Sequence, residues 1–267
     1  MVITKNYFQV FLLSIQELFF KMRISIFQGL VRIFSKYLFT NSNFFKKLNF
    51  SLKEIEENGF VKLDNYYSQI EINFINNISK IATTELINNN FDKNFLDTEK
   101  KSGSIKIKNL SKQYKEIQKF SYDFFLLFLS FIFNFRVTKP VEILNYSHDG
   151  NGNDIPVEGK CVENIAGTPH RDIKNGKKHY LKAVILLKDV NKSNGPTKLI
   201  PNTNSLIKFG NKEDFNSEED FFGKLVKKNG IRSFEGKCGD LIIFDSTNIH
   251  WASKFDKGER KLIWLYF

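Results

Sequence analysis

Two short motifs, Thr168-Pro169-His170-Arg171-Asp172 and Asn248-Ile249-His250-Trp251, constrain the fold more than any other feature of the chain. His170 and Asp172 stand two residues apart. On a strand or extended segment, residues i and i+2 point the same way, so an imidazole nitrogen and a carboxylate oxygen can reach one point in space. Between the motifs lie short apolar runs punctuated by turns. Tyr180 to Leu187 is rich in β-branched residues and leucine, Asn194-Gly195-Pro196 is a turn, and Thr197 to Ile200 is a short strand. Gly239 to Asp245 is an apolar strand led by Lys237-Cys238-Gly239-Asp240, and Lys261 to Phe267 forms a terminal strand. This half of the chain is therefore mostly β, and a distant strand can bring His250 to His170 and Asp172.

Two histidines and one carboxylate, with positions left open, form the ligand set of non-haem Fe(II) oxygenases, and catalytic zinc accepts the same donors. There are four histidines in all, His148, His170, His179 and His250. Each taken alone reads more readily as structural or surface than as a ligand. His170 stands out through its neighbouring carboxylate after a Gly-Thr-Pro turn, and His250 by following an apolar strand, with Arg260 ten residues further on.

The first half of the chain reads as helical. Residues 7–39 are rich in Phe and Leu with interspersed charges, and Phe11, Ile15, Leu18, Phe19 and Met22 follow helical spacing. A basic amphipathic helix of this kind can make peripheral contact with a membrane or pack as a layer on a domain, and packing is favoured. After a break at Thr40 to Asn43, Ser51-Leu52-Lys53-Glu54 has the capping-box pattern and predicts a short helix ending near Asn58-Gly59. A strand at Phe60 to Leu63, a helix at Asn65 to Asn89 and a polar loop at 90–112 with a strand near Ser104 to Ile107 follow. One long aromatic helix is expected over Leu110 to Phe135, then a strand at Val137 to Tyr146 and a loop at His148 to Gly159 beside any site. Residues 211–229 read as an insertion or short helix. The division expected is an N-terminal helical extension, residues 1–50, and a main domain, residues 51–267.

Composition narrows the classes. The two cysteines, Cys161 and Cys238, cannot build a disulfide framework or a closed thiolate metal site, so a cytoplasmic setting is expected. The net charge of +11 can attract an anionic membrane, an anionic small molecule or nucleic acid. No dense Lys/Arg block or nucleic-acid motif occurs, so no nucleic-acid partner is expected. No apolar segment is long enough to span a membrane, and no signal-peptide cleavage pattern follows the first apolar run.

The order His-x-Asp, apolar strand, Asn-Gly-Pro turn, Gly-Asp-apolar strand, His, Arg resembles the phytanoyl-CoA dioxygenase family of Fe(II)- and 2-oxoglutarate-dependent oxygenases. The resemblance runs from about Leu52 to Phe267. It includes Glu57-Asn58-Gly59-Phe60-Val61 as the opening, Asn194 to Pro201 as the central turn and strand, and Gly239 to Phe244 before the distal histidine. It implies an α+β fold: a double-stranded β-helix (a cupin-like jelly roll) with flanking helices. It also implies that His170, Asp172 and His250 hold Fe(II), that Arg260 pairs with the distal carboxylate of 2-oxoglutarate, and that the Thr197 hydroxyl assists. Asn248, Trp251 and Tyr146 are expected to line the pocket. O2 is the co-substrate, and a small molecule, anionic or lipid-like, is the expected substrate. Asp172 implies hydroxylation, or a related desaturation or cyclisation, because halogenases of this type replace that carboxylate with a small residue. Where the family often has Gly-Ser-His after the proline, this chain has Asn202-Thr203-Asn204, and Leu262 offers no second hydroxyl near Arg260. The rival readings are a non-catalytic jelly-roll binding protein and a zinc hydrolase with the same ligands. No motif specifies the substrate or an oligomeric state.

Overall fold

Side-chain alternation along the strands creates two apolar layers. In the strand Leu181–Leu186, residues Leu181, Ala183 and Ile185 join one buried cluster, while Val184 and Leu186 join another. The strand Leu241–Asp245 divides the same way, with Leu241 and Ile243 on one side and Ile242 and Phe244 on the other. A strand that is apolar on both faces must be covered on both faces. Helices cover one side here and a second sheet covers the other.

The computed structural model describes residues 26, 43–88, 98–101, 103–134, 140–150, 161, 167–172, 181–204 and 219–267. In chain order the elements are α1 (Asn43–Asn58), β1 (Phe60–Leu63), α2 (Gln69–Ile87), β2 (Thr98–Lys101), β3 (Ser104–Lys108), α3 (Leu110–Gln113), a 3-10 turn (Lys115–Ile117), α4 (Gln118–Ser121), α5 (Phe124–Asn134) and β4 (Val141–His148). Then come β5 (Leu181–Leu186), β6 (Thr197–Ile200), α6 (Glu219–Asn229), β7 (Arg232–Ser233), β8 (Leu241–Asp245), β9 (Ile249–Ala252) and β10 (Glu259–Tyr266). The larger sheet has the order β1-β8-β5-β10-β4-β3-β2 and the smaller β7-β6-β9. Every strand pairing is antiparallel. Leu199 of the small sheet packs with Val184, Ile242, Phe244 and Leu262 of the large one, so the two sheets face each other. Helices α1, α2 and α5 fill the opposite face of the large sheet with Leu52, Ile72, Ile75, Leu126 and Leu129. This is the jelly-roll architecture expected of a double-stranded β-helix.

Several local expectations are corrected. The helix around Ser51 begins at Asn43, and Ser51 lies buried within it rather than capping it. The capping box that forms is Ser68 with Glu71, at the start of α2. The long helix expected over 110–135 is broken into pieces. The buried Glu142 carboxylate of β4 accepts from Ser111 N and from the Ser121 hydroxyl, and these bonds hold the turns apart. Asp123 Oδ1 then accepts from Leu126 N and starts α5 afresh. The strand expected at 137–146 lies at Val141–His148, so His148 is a strand residue. The β2 strand was not anticipated. Of residues 7–39 only Ile26 is described, and the membrane-contact expectation lies outside the described residues, as do 151–159 of the expected loop. Among the described residues no helix is long and apolar enough to cross a membrane.

Candidate metal centre and anion pocket

A polar corner between β8 and β9 sets the position of His250. Asp245 Oδ1 accepts from Thr247 N (3.0 Å) and Thr247 Oγ1 (2.7 Å). Asn248 Oδ1 accepts from Thr203 N (2.9 Å) and Asn204 N (3.2 Å), while its Nδ2 donates to Asp245 O (3.1 Å). Against this corner the 170–172 segment lies extended. His170 N donates to His250 O and His250 N to His170 O, at 3.0 and 2.9 Å, in an isolated antiparallel bridge. Asp172 N donates to Ser246 O at 3.0 Å. Arg171 reaches the other way, donating from Nε to Thr247 O and from Nη2 to Asn204 O.

The ring nitrogens are sorted by their backbone partners. His170 Nδ1 lies 2.9 Å from Thr168 O, and His250 Nδ1 lies 2.9 Å from Asn248 O. A carbonyl can only accept, so each Nδ1 carries the proton and each Nε2 of the neutral ring keeps its lone pair. Asp172 Oδ2 is 3.3 Å from His250 Nε2 and in contact with the Lys182 ammonium, yet accepts no well-directed hydrogen bond. Ligand atoms of His170, Asp172 and His250 all lie within 4.8 Å of one another. Lone pairs gathered this closely repel unless a cation lies among them, and an N, N, O donor set suits a divalent transition metal. Protonation states agree. Burial, then the neighbouring His250, pushes the His170 imidazole below its ordinary value. Burial alone would raise Asp172, but the Lys182 ammonium beside it opposes this, and the carboxyl is held well below the usual range. Neutral imidazole and ionised carboxylate are the forms that bind metal.

A second polar feature faces the same inter-sheet space. On β10, Leu262 belongs to the inter-sheet cluster, and alternation puts Arg260 on that face. Its guanidinium donates from Nη1 to Gly195 O and from Nη2 to Asn145 Oδ1 (3.3 Å), while Nε has no partner among the described residues. No carboxylate among the described residues pairs with it. Burial pulls its pKa down to about 10, so it remains charged at neutral pH. A buried cation whose partners are neutral oxygens is suited to receive an anion. Thr197, half-buried on β6, shares the inward face with Leu199.

Other expected pocket residues go elsewhere. Asn248 organises the corner. Trp251 packs outward against Phe222 of α6, with ring centroids 5.8 Å apart. Tyr146 belongs to the helix-side core and donates to Glu259 Oε1 at 2.7 Å. His148 accepts from Gly150 N through Nδ1. His179 lies outside the described residues. Lys182, Asn145 and Gly195 take positions at the site that the sequence reading missed. The signal for Lys182 was a lone charge on the inward register of an apolar strand.

The family model for phytanoyl-CoA dioxygenase (PhyH) matches residues 55–255. No curated protein matches the chain by sequence. Among solved structures, EctD from S. alaskensis with 2-oxoglutarate and 5-hydroxyectoine aligns with a TM-score of 0.60 and 18% identity, over 80% of this chain and 73% of EctD. The epimerase SnoN, in complex with Fe3+, alpha ketoglutarate and nogalamycin RO, gives 0.58 and 11%, over 83% of each chain. AviO1 from Streptomyces viridochromogenes Tue57 gives 0.56 and 14%, over 81% of this chain and 92% of AviO1. At these identities the structural likeness concerns the fold. The family match covers most of the sequence, including His170, Asp172 and His250, and the chain belongs to the phytanoyl-CoA dioxygenase family of Fe(II)- and 2-oxoglutarate-dependent oxygenases.

Proposed function

We propose that the protein hydroxylates a small molecule, with His170, Asp172 and His250 holding Fe(II) and Arg260, assisted by Thr197, holding the distal carboxylate of 2-oxoglutarate. The observation that carries this reading is the convergence of His170, Asp172 and His250 with both Nε2 atoms free of hydrogen. The buried Arg260, paired among the described residues with neutral oxygens, favours an oxygenase over a zinc hydrolase built on the same ligands. The solved structures of EctD and SnoN, which contain 2-oxoglutarate (alpha ketoglutarate), support the co-substrate assignment. Iron with bound 2-oxoglutarate supplies O2 activation coupled to oxidative decarboxylation, and so the oxidising power to remove a substrate hydrogen.

The chain's own residues do the rest. Backbone carbonyls at Thr168 and Asn248 hold the two imidazoles in the ligating tautomer. Gly195 O and Asn145 Oδ1 aim the guanidinium, which can grip a carboxylate through two N–H groups. Leu199, Phe244 and Leu262 exclude water from the inter-sheet space and strengthen every charge interaction inside it. The net charge of +11 supports an anionic substrate, and a content of only two cysteines, too few for a disulfide framework, supports a reducing, cytoplasmic setting. The reaction is assigned to residues 51–267, with residues 1–50 as an appendage.

The test is anaerobic addition of Fe(II) and 2-oxoglutarate. A weak visible charge-transfer band is expected for the wild type and none for Asp172→Ala or His250→Ala. A wild-type protein that binds the metal but shows no band would favour a hydrolase or a non-catalytic binding protein. Substrate-dependent succinate formation across a panel of anionic small molecules then identifies the substrate.

A further inference from the structure

Lys182 points into the space between the sheets, on the same face of β5 as Val184 and Leu186. It sits opposite Phe244 on β8 and Tyr266 on β10 and is only 6% exposed. A lysine in such surroundings is costly unless its charge is matched. Its ammonium contacts Asp172 Oδ2 and lies 4.4 Å from the centre of the Tyr266 ring, an additional cation–π contact. The oxygen it contacts is the one that faces His250 Nε2 at 3.3 Å. The Asp172 carboxylate therefore faces both the ammonium and the point where the two histidines converge.

Resting on the ligand reading above, we propose that Lys182 is a positioning residue for the metal centre: its ammonium grips Asp172, holds it to ligation through a single oxygen, and lowers the site's affinity for a divalent ion. Asp172 lies in an extended segment, and its backbone tie is a single bond from N to Ser246 O. Its side chain lies between the ammonium and His250 Nε2, and the ammonium is the charged neighbour that can aim it. The same positive charge opposes a metal ion arriving a few ångströms away. Holding one oxygen leaves fewer protein donors on the ion and more positions for co-substrate and O2.

The test uses the full-length chain loaded with Co(II), challenged with a chelator and followed by visible absorption. Lys182→Met keeps the length and removes the charge. It should retain Co(II) at least about tenfold more tightly than wild type, the scale expected when a like charge a few ångströms away is removed. Its visible bands should weaken as the second carboxylate oxygen joins the ion. Lys182→Arg should behave as wild type. Lys182→Gln gives the same comparison if the methionine variant does not fold. A residue that only supported the fold would weaken Co(II) binding or leave it unchanged when replaced, and either result overturns the proposal. Asp172→Ala separates the two readings. If it loses Co(II) while Lys182→Met matches wild type, the ligands stand and the role of Lys182 falls. If it retains Co(II) fully, both fall.

Discussion

His170 and His250 exchange both of their backbone hydrogen bonds, and their rings stand 4.5 Å apart. The main chain thus joins the two distant motifs directly. Replacing either ring should leave the bridge intact. His170→Ala and His250→Ala are expected to fold and to lose iron. The buried His250 ring, which packs on Phe244, should cost about 2 kcal/mol of stability through its cavity, and the half-buried His170 less. Iron content after anaerobic reconstitution, with calorimetry alongside, checks both halves. Full iron content in His250→Ala would refute its assignment as a ligand.

Arg260 should act on the co-substrate without acting on the metal. Arg260→Ala is expected to raise the KM for 2-oxoglutarate by about 100-fold, the scale of losing a buried charge-assisted pair. Iron binding should be unchanged. Arg260→Lys should recover little, since an ammonium cannot reproduce the two-pronged geometry. An unchanged KM in Arg260→Ala would place the carboxylate elsewhere.

Gly195 couples backbone conformation to that pocket. Its φ of +73° is unfavourable for a residue with a side chain, and a Cβ there would lie 3.2 Å from Arg260 Nη1 and 3.2 Å from Ser253 O. Gly195→Ala should therefore cost about 1–2 kcal/mol. It should also push the guanidinium off its carbonyl partner and raise the 2-oxoglutarate KM several-fold. Denaturant melts and a co-substrate titration measure the two effects separately, and a wild-type KM would show that Arg260 does not depend on this contact.

The Ser68–Glu71 box gives the stability of α2 a pH dependence. The Glu71 carboxylate accepts from the Ser68 backbone, then from its hydroxyl, and these bonds lower its pKa despite some burial. A carboxyl lowered on folding stabilises above its unfolded value, and that contribution disappears as pH falls through the folded value. Glu71→Gln should flatten the acid side of the stability curve below about pH 4.5, near the ordinary carboxylate value. Ser68→Ala should cost about 1 kcal/mol at neutral pH. Thermal melts from pH 7 downward test both, and an unaltered acid limb in Glu71→Gln would remove the carboxylate from the account.

The residues proposed to hold metal and co-substrate were legible because their chemistry depends on spacing. His170 and Asp172 share one side of an extended segment, and Arg260 follows His250 on the next strand. Strands with β-branched runs, such as β5 and β8, were legible for the same reason. What escaped was set by tertiary partners. The breaks between α3 and α5 depend on Glu142, which arrives from β4. Trp251 was misplaced because a one-residue step along β9 moves a side chain from the inter-sheet face to the α6 side. Ser51 carries a valid capping pattern, yet Leu48, Leu52 and Ile55 bury one continuous helical face and extend the helix through it. Lys182 showed only as a lone charge in an apolar strand, and no local pattern announces its carboxylate partner, which comes from another segment.

Asn248 was expected to line the pocket, and its position instead makes it a fold-determining residue of the site. Its amide satisfies two backbone N–H groups, at Thr203 and Asn204, and one carbonyl, at Asp245. All of this lies in a corner where Asn248 is 1% exposed. Removing the amide leaves the Thr203 and Asn204 N–H groups without their acceptor, each costing about 1–3 kcal/mol, while Asp245 O keeps its bond from Asn248 N. Asn248→Ala should therefore lose about 3 kcal/mol or more, the joint cost of those groups. Asn248→Asp keeps the acceptor for Thr203 and Asn204 but sets a carboxylate against Asp245 O, so it should recover part of the loss at most. The same corner carries the carbonyl that orients His250 Nδ1, so iron affinity should fall with stability in both variants. Chemical denaturation paired with an iron-binding titration decides the matter. Asn248→Ala with wild-type stability and weakened iron binding alone would return the residue to the pocket.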